Sequence, residues 1–250
     1  MSHPFNIIEL DTVDSTNNYV TKKLKENAIG YFDVIMAHNQ TNGRGQRNRQ
    51  WQSSAGENLT CSFVLDFGFL KLPEMFDLNR LISLAIINML LDLNADCEAK
   101  IKWPNDIKVY ARKLSGILID IQVVGSKKTL ICGVGINVNQ TNFGEVEDAI
   151  SLKQIFGQKF EPKFILELFL THLDKLINQV HRSGVEALRS DYEKHLFALN
   201  ETWQFERENT LFRSKVLGVN EKGELMLSAF KNQNINLYSP MDLRWIKPVL

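Results

Sequence analysis

The stretch NQTNGRGQRNRQW (residues 39–51) places two glycines and three arginines in the seven positions from Gly43 to Arg49, and Trp51 follows. Gly43 and Gly45 remove side chains on either side of Arg44, so the backbone there can approach a ligand and present N–H groups. Arginine forks suit carboxylate and phosphate oxygens. The stretch therefore predicts an anion site. For an arbitrary Gly-Arg-Gly a solvated surface loop is the commoner explanation. The pattern is neither a P-loop, since Lys and Ser/Thr are absent after the second glycine, nor a dinucleotide fingerprint. Its surroundings decide between site and surface.

On the N-terminal side, FDVIMAHNQ (32–40) reads as a short apolar strand that delivers its end to the basic loop. DTVDSTNNYVTKKLKENA (11–28) reads as a loop entering a helix, with Asp14 or Ser15 as the cap and Val20 and Leu24 at helical spacing. On the other side, LTCSFVLDF (59–67) is a second buried strand and DLNRLISLAIINMLLDL (77–93) a helix apolar nearly all round. AKIKWPNDIKV (99–109), KLSGILIDIQVV (113–124) and KTLICGVGINVN (128–139) are strand-like, separated by turn signals at Pro104-Asn105-Asp106 and Gly125-Ser126. PKFILELFLTHLDKLINQV (162–180) is a periodic helix, and a shorter one covers 184–196. After Leu199 the texture changes to the short pieces TWQFERE, FRSKVLGVN, GELMLSAF, NINLYS and LRWIK, joined by turns such as Asn220-Glu221-Lys222-Gly223. These predict a small all-β barrel. The expected organisation is an α+β domain over residues 1–198, with a mixed β-sheet flanked by helices, and a barrel over 199–250.

Composition narrows the function classes. Hydrophobic residues make up 44% and charged residues 23%, which excludes disordered and fibrous chains. Lys+Arg and Asp+Glu both total 29, so no global field draws the chain to nucleic acid or to an anionic membrane, and a basic site is local. Cys61, Cys97 and Cys132 are widely separated and form no C-x-x-C pair, which argues against structural zinc and a disulfide framework and for a reducing compartment. The start MSHPFNIIEL has no basic segment followed by an apolar run, and no apolar stretch approaches about 18 residues. The expected location is the cytoplasm, with no membrane partner.

Four further features accompany the basic loop. KWPNDIKV sets Lys102, Asn105 and Asp106 at a sharp turn, offering a cation, an amide and a possible magnesium ligand. RKLSGILID puts Lys113 ahead of a buried strand, with Gly116 where a ligand can come close. GVGINVN has Gly133 and Gly135 inside an apolar strand, where glycine costs stability unless something approaches the backbone. Asn137 adds a polar group there. Taken singly, a plain turn, a solvated lysine and a packing glycine explain these; together they argue for one site.

The ordered set DSTN (14–17), NQTNGRGQRNRQW (39–51), KWPNDI (102–107), RKLSGIL (112–118) and GVGINVN (133–139) resembles the biotin protein ligases, that is, biotin–[acetyl-CoA carboxylase] ligases. The resemblance spans roughly residues 8–250 and extends into the tail, where LGVNEKGELML and DLRWI are similar to the family's C-terminal SH3-like barrel. It implies a catalytic domain like that of class II aminoacyl-tRNA synthetases. It also implies a two-step reaction: the biotin carboxylate attacks the α-phosphate of ATP to give biotinyl-5′-AMP and pyrophosphate, and a lysine of a biotin carboxyl carrier protein then takes the biotinyl group. The implied ligands are biotin, ATP and Mg²⁺.

By the same resemblance, Ser15, Thr16 and Asn17 begin the biotin pocket, with Gln40 and Gly116 at or beside the ureido ring and Gly45 and Gln46 from the loop. Arg44 meets the biotin carboxylate and the adenylate phosphate. Lys113 bridges the two at the reacting centre. Trp51 covers the adenine, Lys102, Asn105 and Asn137 hold the nucleotide, and Arg47 and Arg49 bind phosphates. Arg244 reaches ATP from the barrel and Asp106 holds the metal. Two departures stand out: Gln46 replaces the second arginine of the family's G-R-G-R, and Met241-Asp242 replaces the usual G-E before the last strand.

Some members carry an N-terminal DNA-binding domain, for which a DSTN motif starting at residue 14 leaves no room, so no DNA partner is expected. The expected assembly is a monomer or homodimer. A lipoate-protein ligase or octanoyltransferase of the same fold is the alternative activity, although its signature loops differ from GRGQRNRQW and KWPND. A docking module without chemistry is disfavoured by the presence of Lys113 and Arg44.

Overall fold

The computed structural model describes residues 5–124, 127–144, 146, 148–228 and 235–246. The chain begins with β1 (Asn6–Val13), α1 (Thr16–Lys25), β2 (Asp33–Gln40), β3 (Leu59–Asp66), α2 (Phe67–Leu70) and α3 (Met75–Leu93). It continues through β4 (Ala99–Lys102), β5 (Asp106–Val109), β6 (Arg112–Val124), β7 (Lys127–Ile136), α4 (Leu152–Phe156), α5 (Pro162–Ser183) and α6 (Glu186–Lys194). The tail adds β8 (Thr202–Arg207), β9 (Thr210–Val219), β10 (Leu225–Ser228), β11 (Ile235–Tyr238) and β12 (Arg244–Ile246).

Seven strands form one sheet in the order β1-β2-β3-β7-β6-β5-β4. β1 pairs with β2 in parallel and the other pairs are antiparallel, so the sheet is mixed as expected. Its middle strands are apolar at nearly every position because both faces are covered. Val34, Met36, Phe63 and Leu65 point into the core shared with α3 and α5, while Ile35, Val64 and Ile131 alternate to the other face and meet Val20 of α1. The α1 face carries the site. β1 is an addition to the sequence reading, which took residues 11–13 as loop: its residues are at most half-buried, so apolar content alone does not mark it. Ser15 is the N-cap of α1 but makes no side-chain capping bond; Asp14 instead accepts from the side chain of Asn18. The turn expected at Gly125-Ser126 lies outside the described residues.

The tail forms a five-stranded antiparallel sheet in the order β11-β10-β9-β8-β12. Its turn 220–223 docks on α3 and on the turn between β4 and β5 through polar contacts. Trp103 Nε1 donates to Gly223 O at 2.9 Å, and Arg80 Nη2 donates to Asn220 O at 2.5 Å. Arg80 itself lies against the rings of Phe76 and Tyr192 and is paired with Asp77, which also receives Arg189. A fully buried Asp77 is tolerable because two guanidinium groups neutralise it and donate to it. Among the described residues, no helix is long and apolar enough to cross a membrane.

Candidate active site

Register assembles the site on one face of the sheet. Residues directly opposite across a ladder point the same way, and alternate residues of a strand share a face. Ser62 pairs with Gly133, Leu118 with Gly133, Asp120 with Ile131, Gly116 with Gly135, Asp106 with Gly116, and Lys102 with Asp106. One face thus collects small and polar residues from five strands, roofed by the start of α1 and by the basic loop. Their cleft encloses about 300 Å³, at the lower end for small-molecule sites.

The basic loop is a small hairpin. Arg44 bridges Gln50, Gly45 N donates to Arg49 O at 2.7 Å, and Trp51 N donates to Gly43 O at 2.9 Å. Gly43 is glycine because a methyl group there would stand 2.4 Å from Trp51 O. The close approach expected for a ligand is made by the loop's own returning strand.

The strand glycines have a related explanation. A methyl group at Gly135 would sit 2.5 Å from the Trp51 indole, and one at Gly133 would sit 2.4 Å from Asn17 Oδ1. These two side chains lie flat on the sheet where side chains are missing. Lys113 Nζ is 5.7 Å from the Trp51 ring centre and 2.7 Å from Asp106 Oδ1. Trp51 Nε1 is buried and has no hydrogen-bond partner among the described residues. A desolvated donor of this kind gains from any acceptor that enters the cleft.

Ser15, Thr16, Asn17, Gln40, Arg44, Gly45, Gln46, Arg47, Arg49, Trp51, Lys102, Asn105, Asp106, Lys113, Gly116 and Arg244 all line the cleft. Asn137 does not. It is buried and donates to the carbonyls of Lys113 at 3.3 Å and Ile150 at 3.0 Å, so it supports the backbone of Lys113 from behind. Other cleft residues are also partly spent on protein partners. Arg47 donates to Leu243 O and ties the loop to the second sheet, Asn105 Nδ2 donates to Ile117 O at 2.8 Å, and Arg244 is paired with Glu206. Burial holds the Lys102 ammonium below its ordinary range, against the smaller opposing pull of Asp106. An incoming anion would favour the charged form and raise it again.

Asp106 is the one carboxylate among the cleft-lining residues, and no cluster of three or more His, Cys, Asp or Glu occurs among the described residues. Such a donor set does not fit a protein-caged ion. It fits Mg²⁺ held by one carboxylate and substrate phosphates. Cys61 belongs to the floor strand, but its side chain packs in the opposite core and burial pushes the thiol up to about 12. No cysteine nucleophile is offered there.

The sequence reading missed Ser62, Asp120, Trp103 and Trp245. Ser62 is fully buried and reaches Asn17 Oδ1 at 2.5 Å; Asp120 receives Arg44 at 3.0 Å. Each is a polar residue with apolar neighbours on both sides, Phe63 beside Ser62 and Ile119 and Ile121 beside Asp120, and that interruption of an apolar run is the signal that could have found them. Trp103 is buried in the turn beside Lys102, and Trp245 lies 5.9 Å from Lys102 Nζ.

This fold is that of the biotin protein ligases: the structure of the Aquifex aeolicus biotin protein ligase in complex with biotin and ATP matches with a TM-score of 0.81 at 27% identity, covering 97% of this chain and 99% of that one. The profile of the Biotin/lipoate A/B protein ligase family matches residues 9–137, and the chain belongs to that family. The bifunctional ligase/repressor BirA of Bacillus subtilis is 29% identical over 244 residues, covering 95% of this chain and 73% of BirA. The biotin–[acetyl-CoA-carboxylase] ligase of Mycobacterium tuberculosis is 29% identical over 189 residues, covering 74% and 69% respectively.

Proposed function

We infer that the protein activates biotin with ATP to biotinyl-5′-AMP and transfers the biotinyl group to a lysine of a biotin carboxyl carrier protein. The observation that carries this reading is the grouping of Arg44, Lys102, Lys113, Arg49 and Arg244 around one cleft that has a single carboxylate. Joining a carboxylate to a triphosphate brings two anions together, and fixed cations offset that repulsion and stabilise the charge that builds on phosphorus. In this reading Ser15, Thr16, Asn17, Gln40 and Gly116 hold the ureido end, while Arg44 and Lys113 hold the carboxylate against the α-phosphate. Trp51 and Asn105 take the nucleotide. Asp106 would hold Mg²⁺ arriving with ATP, which adds positive charge to the phosphates. The loop hairpin covers the mixed anhydride and keeps water from it until the carrier lysine arrives.

The division is at residues 198/199, with a class II synthetase-like catalytic domain and an SH3-like barrel. The buried free thiols Cys61, Cys97 and Cys132 agree with a cytoplasmic setting. The decisive measurement is biotin-dependent exchange of pyrophosphate into ATP, repeated with lipoate and octanoate. Exchange with biotin alone is expected; exchange driven by lipoate or octanoate would assign the cleft to the alternative activity.

The two glycines divide the cleft experimentally. Gly133→Ala drives a methyl group into Asn17 and is expected to weaken biotin about tenfold, the scale of one lost hydrogen bond, with ATP affinity unchanged. Gly135→Ala displaces Trp51 instead and is expected to shift its fluorescence and weaken the nucleotide. Titration calorimetry with each ligand checks both; equal losses on both ligands from either variant would contradict the division.

A further inference from the structure

Asp120 lies behind Arg44, outside the lining of the central cleft, yet two of the proposed ligand-binding side chains converge on it. Arg44 Nη1 carries two hydrogens, and two acceptors meet them: Asp120 Oδ2 at 3.0 Å and Asn18 Oδ1 at 3.1 Å. That nitrogen is saturated. Because a guanidinium is planar, holding Nη1 sets the plane of the whole fork. Arg44 Nε and Nη2 make no hydrogen bond among the described residues, which leaves that edge open to an anion in the cleft that Arg44 lines.

The same Asp120 oxygen accepts from Asn17 Nδ2 at 3.1 Å. Asn17 Oδ1, which can only accept, lies 2.5 Å from the hydroxyl of Ser62, so the orientation of the Asn17 amide is settled by its two partners. Ser62 spends its one proton on Asn17, so the Thr16 hydroxyl, 2.7 Å away, donates to Ser62 Oγ, and the Thr16 backbone N donates to Gln40 Oε1 at 2.8 Å. A continuous polar chain therefore runs from Gln40 through Thr16, Ser62 and Asn17 to Asp120 and Arg44. It joins the ureido end of the proposed pocket to the cation of the loop.

We propose that Asp120 is a positioning residue for adenylation, which turns the open edge of Arg44 and the amide of Asn17 toward the ligand and so sets both ends of the biotin site. The proposal rests on the ligase reading. Asp120→Asn keeps an acceptor for Asn17 but removes the charge that clamps Arg44. In the full chain this variant is expected to release preformed biotinyl-AMP about tenfold faster, the scale of one charge-assisted hydrogen bond, while biotin affinity stays within about twofold. Asp120→Ala removes the acceptor as well and is expected to weaken biotin also, by about tenfold.

The readout that a general structural defect would not give is the coupling. In an Arg44→Ala background, Asp120→Asn is expected to change the release rate no further, because its effect passes through Arg44. An unchanged release rate on Asp120→Asn overturns the proposal. So does a slower one, which would make Asp120 a competitor for the guanidinium, and so does an effect that persists fully without Arg44. If the parent protein forms no biotinyl-AMP from biotin and ATP, the ligase reading itself has failed and this proposal falls with it; if the parent forms it and Asp120→Asn behaves as the parent, only the positioning role is lost.

Discussion

Lys113→Ala is expected to slow formation of biotinyl-AMP by about 100- to 1,000-fold, the range seen when one donor to a developing oxyanion is removed, while biotin affinity changes little. The ammonium stands 2.7 Å from Asp106 Oδ1 and 5.7 Å from the Trp51 ring centre, at the end of the cleft where carboxylate and α-phosphate would meet. A cation gains most where charge increases along the reaction. The phosphate oxygens gain charge in the transition state, whereas the biotin carboxylate carries its charge from the start. The loss therefore falls on the chemical step. Single-turnover adenylation measured beside biotin calorimetry separates the two quantities. An unchanged adenylation rate would return Lys113 to an ordinary lysine paired with Asp106.

The second large effect concerns retention of the intermediate by the loop. Arg44→Ala removes charge-assisted hydrogen bonds worth about 1.5–3 kcal/mol each, and release of biotinyl-AMP is expected to rise about ten- to a hundredfold or more. Gln46 sits half-buried in the short turn of the hairpin and lines the same cleft, with no side-chain hydrogen bond to another described residue. It has no charge to lose. Gln46→Gly is expected to cost only the about 0.5–1.5 kcal/mol of a neutral hydrogen bond, and Gln46→Arg to slow release by adding a cation. The dissociation rate of preformed intermediate from the three variants and the parent checks this. Equal release from Gln46→Gly and Arg44→Ala would show that the loop does not divide its work by charge.

Much of the fold is legible in local sequence. The five strands of the tail, the two long helices and the strands β2, β3, β6 and β7 follow from apolar period and turn residues, and the structure places them within a few residues of the expected bounds. β1 is not legible in this way. It is an edge strand whose only strand partner among the described residues, β2, lies across the intervening helix α1, and no pattern within its eight residues announces that pairing. The motifs that bring the cleft together are likewise visible, because the loop cations, Lys102 to Asp106 and Lys113 sit at turns or strand ends and the glycines interrupt apolar strands.

What the sequence by itself determined is which residue types are available: the loop cations, the turn at Lys102 to Asp106, Lys113, and glycines inside a buried strand. Only the tertiary structure decided what those glycines accommodate, and the answer is Trp51 and Asn17 rather than a ligand pressed directly on the backbone. It also took Asn137 out of the cleft and put it behind Lys113, and brought Asp120 to Arg44 across 76 positions of chain. The physical reason is the ladder register. Local propensity selects strands, but which residue stands beside which is set by pairings between distant segments, and a slip of one residue would turn Ser62, Gly133 and Asp120 to the opposite face and dismantle the site.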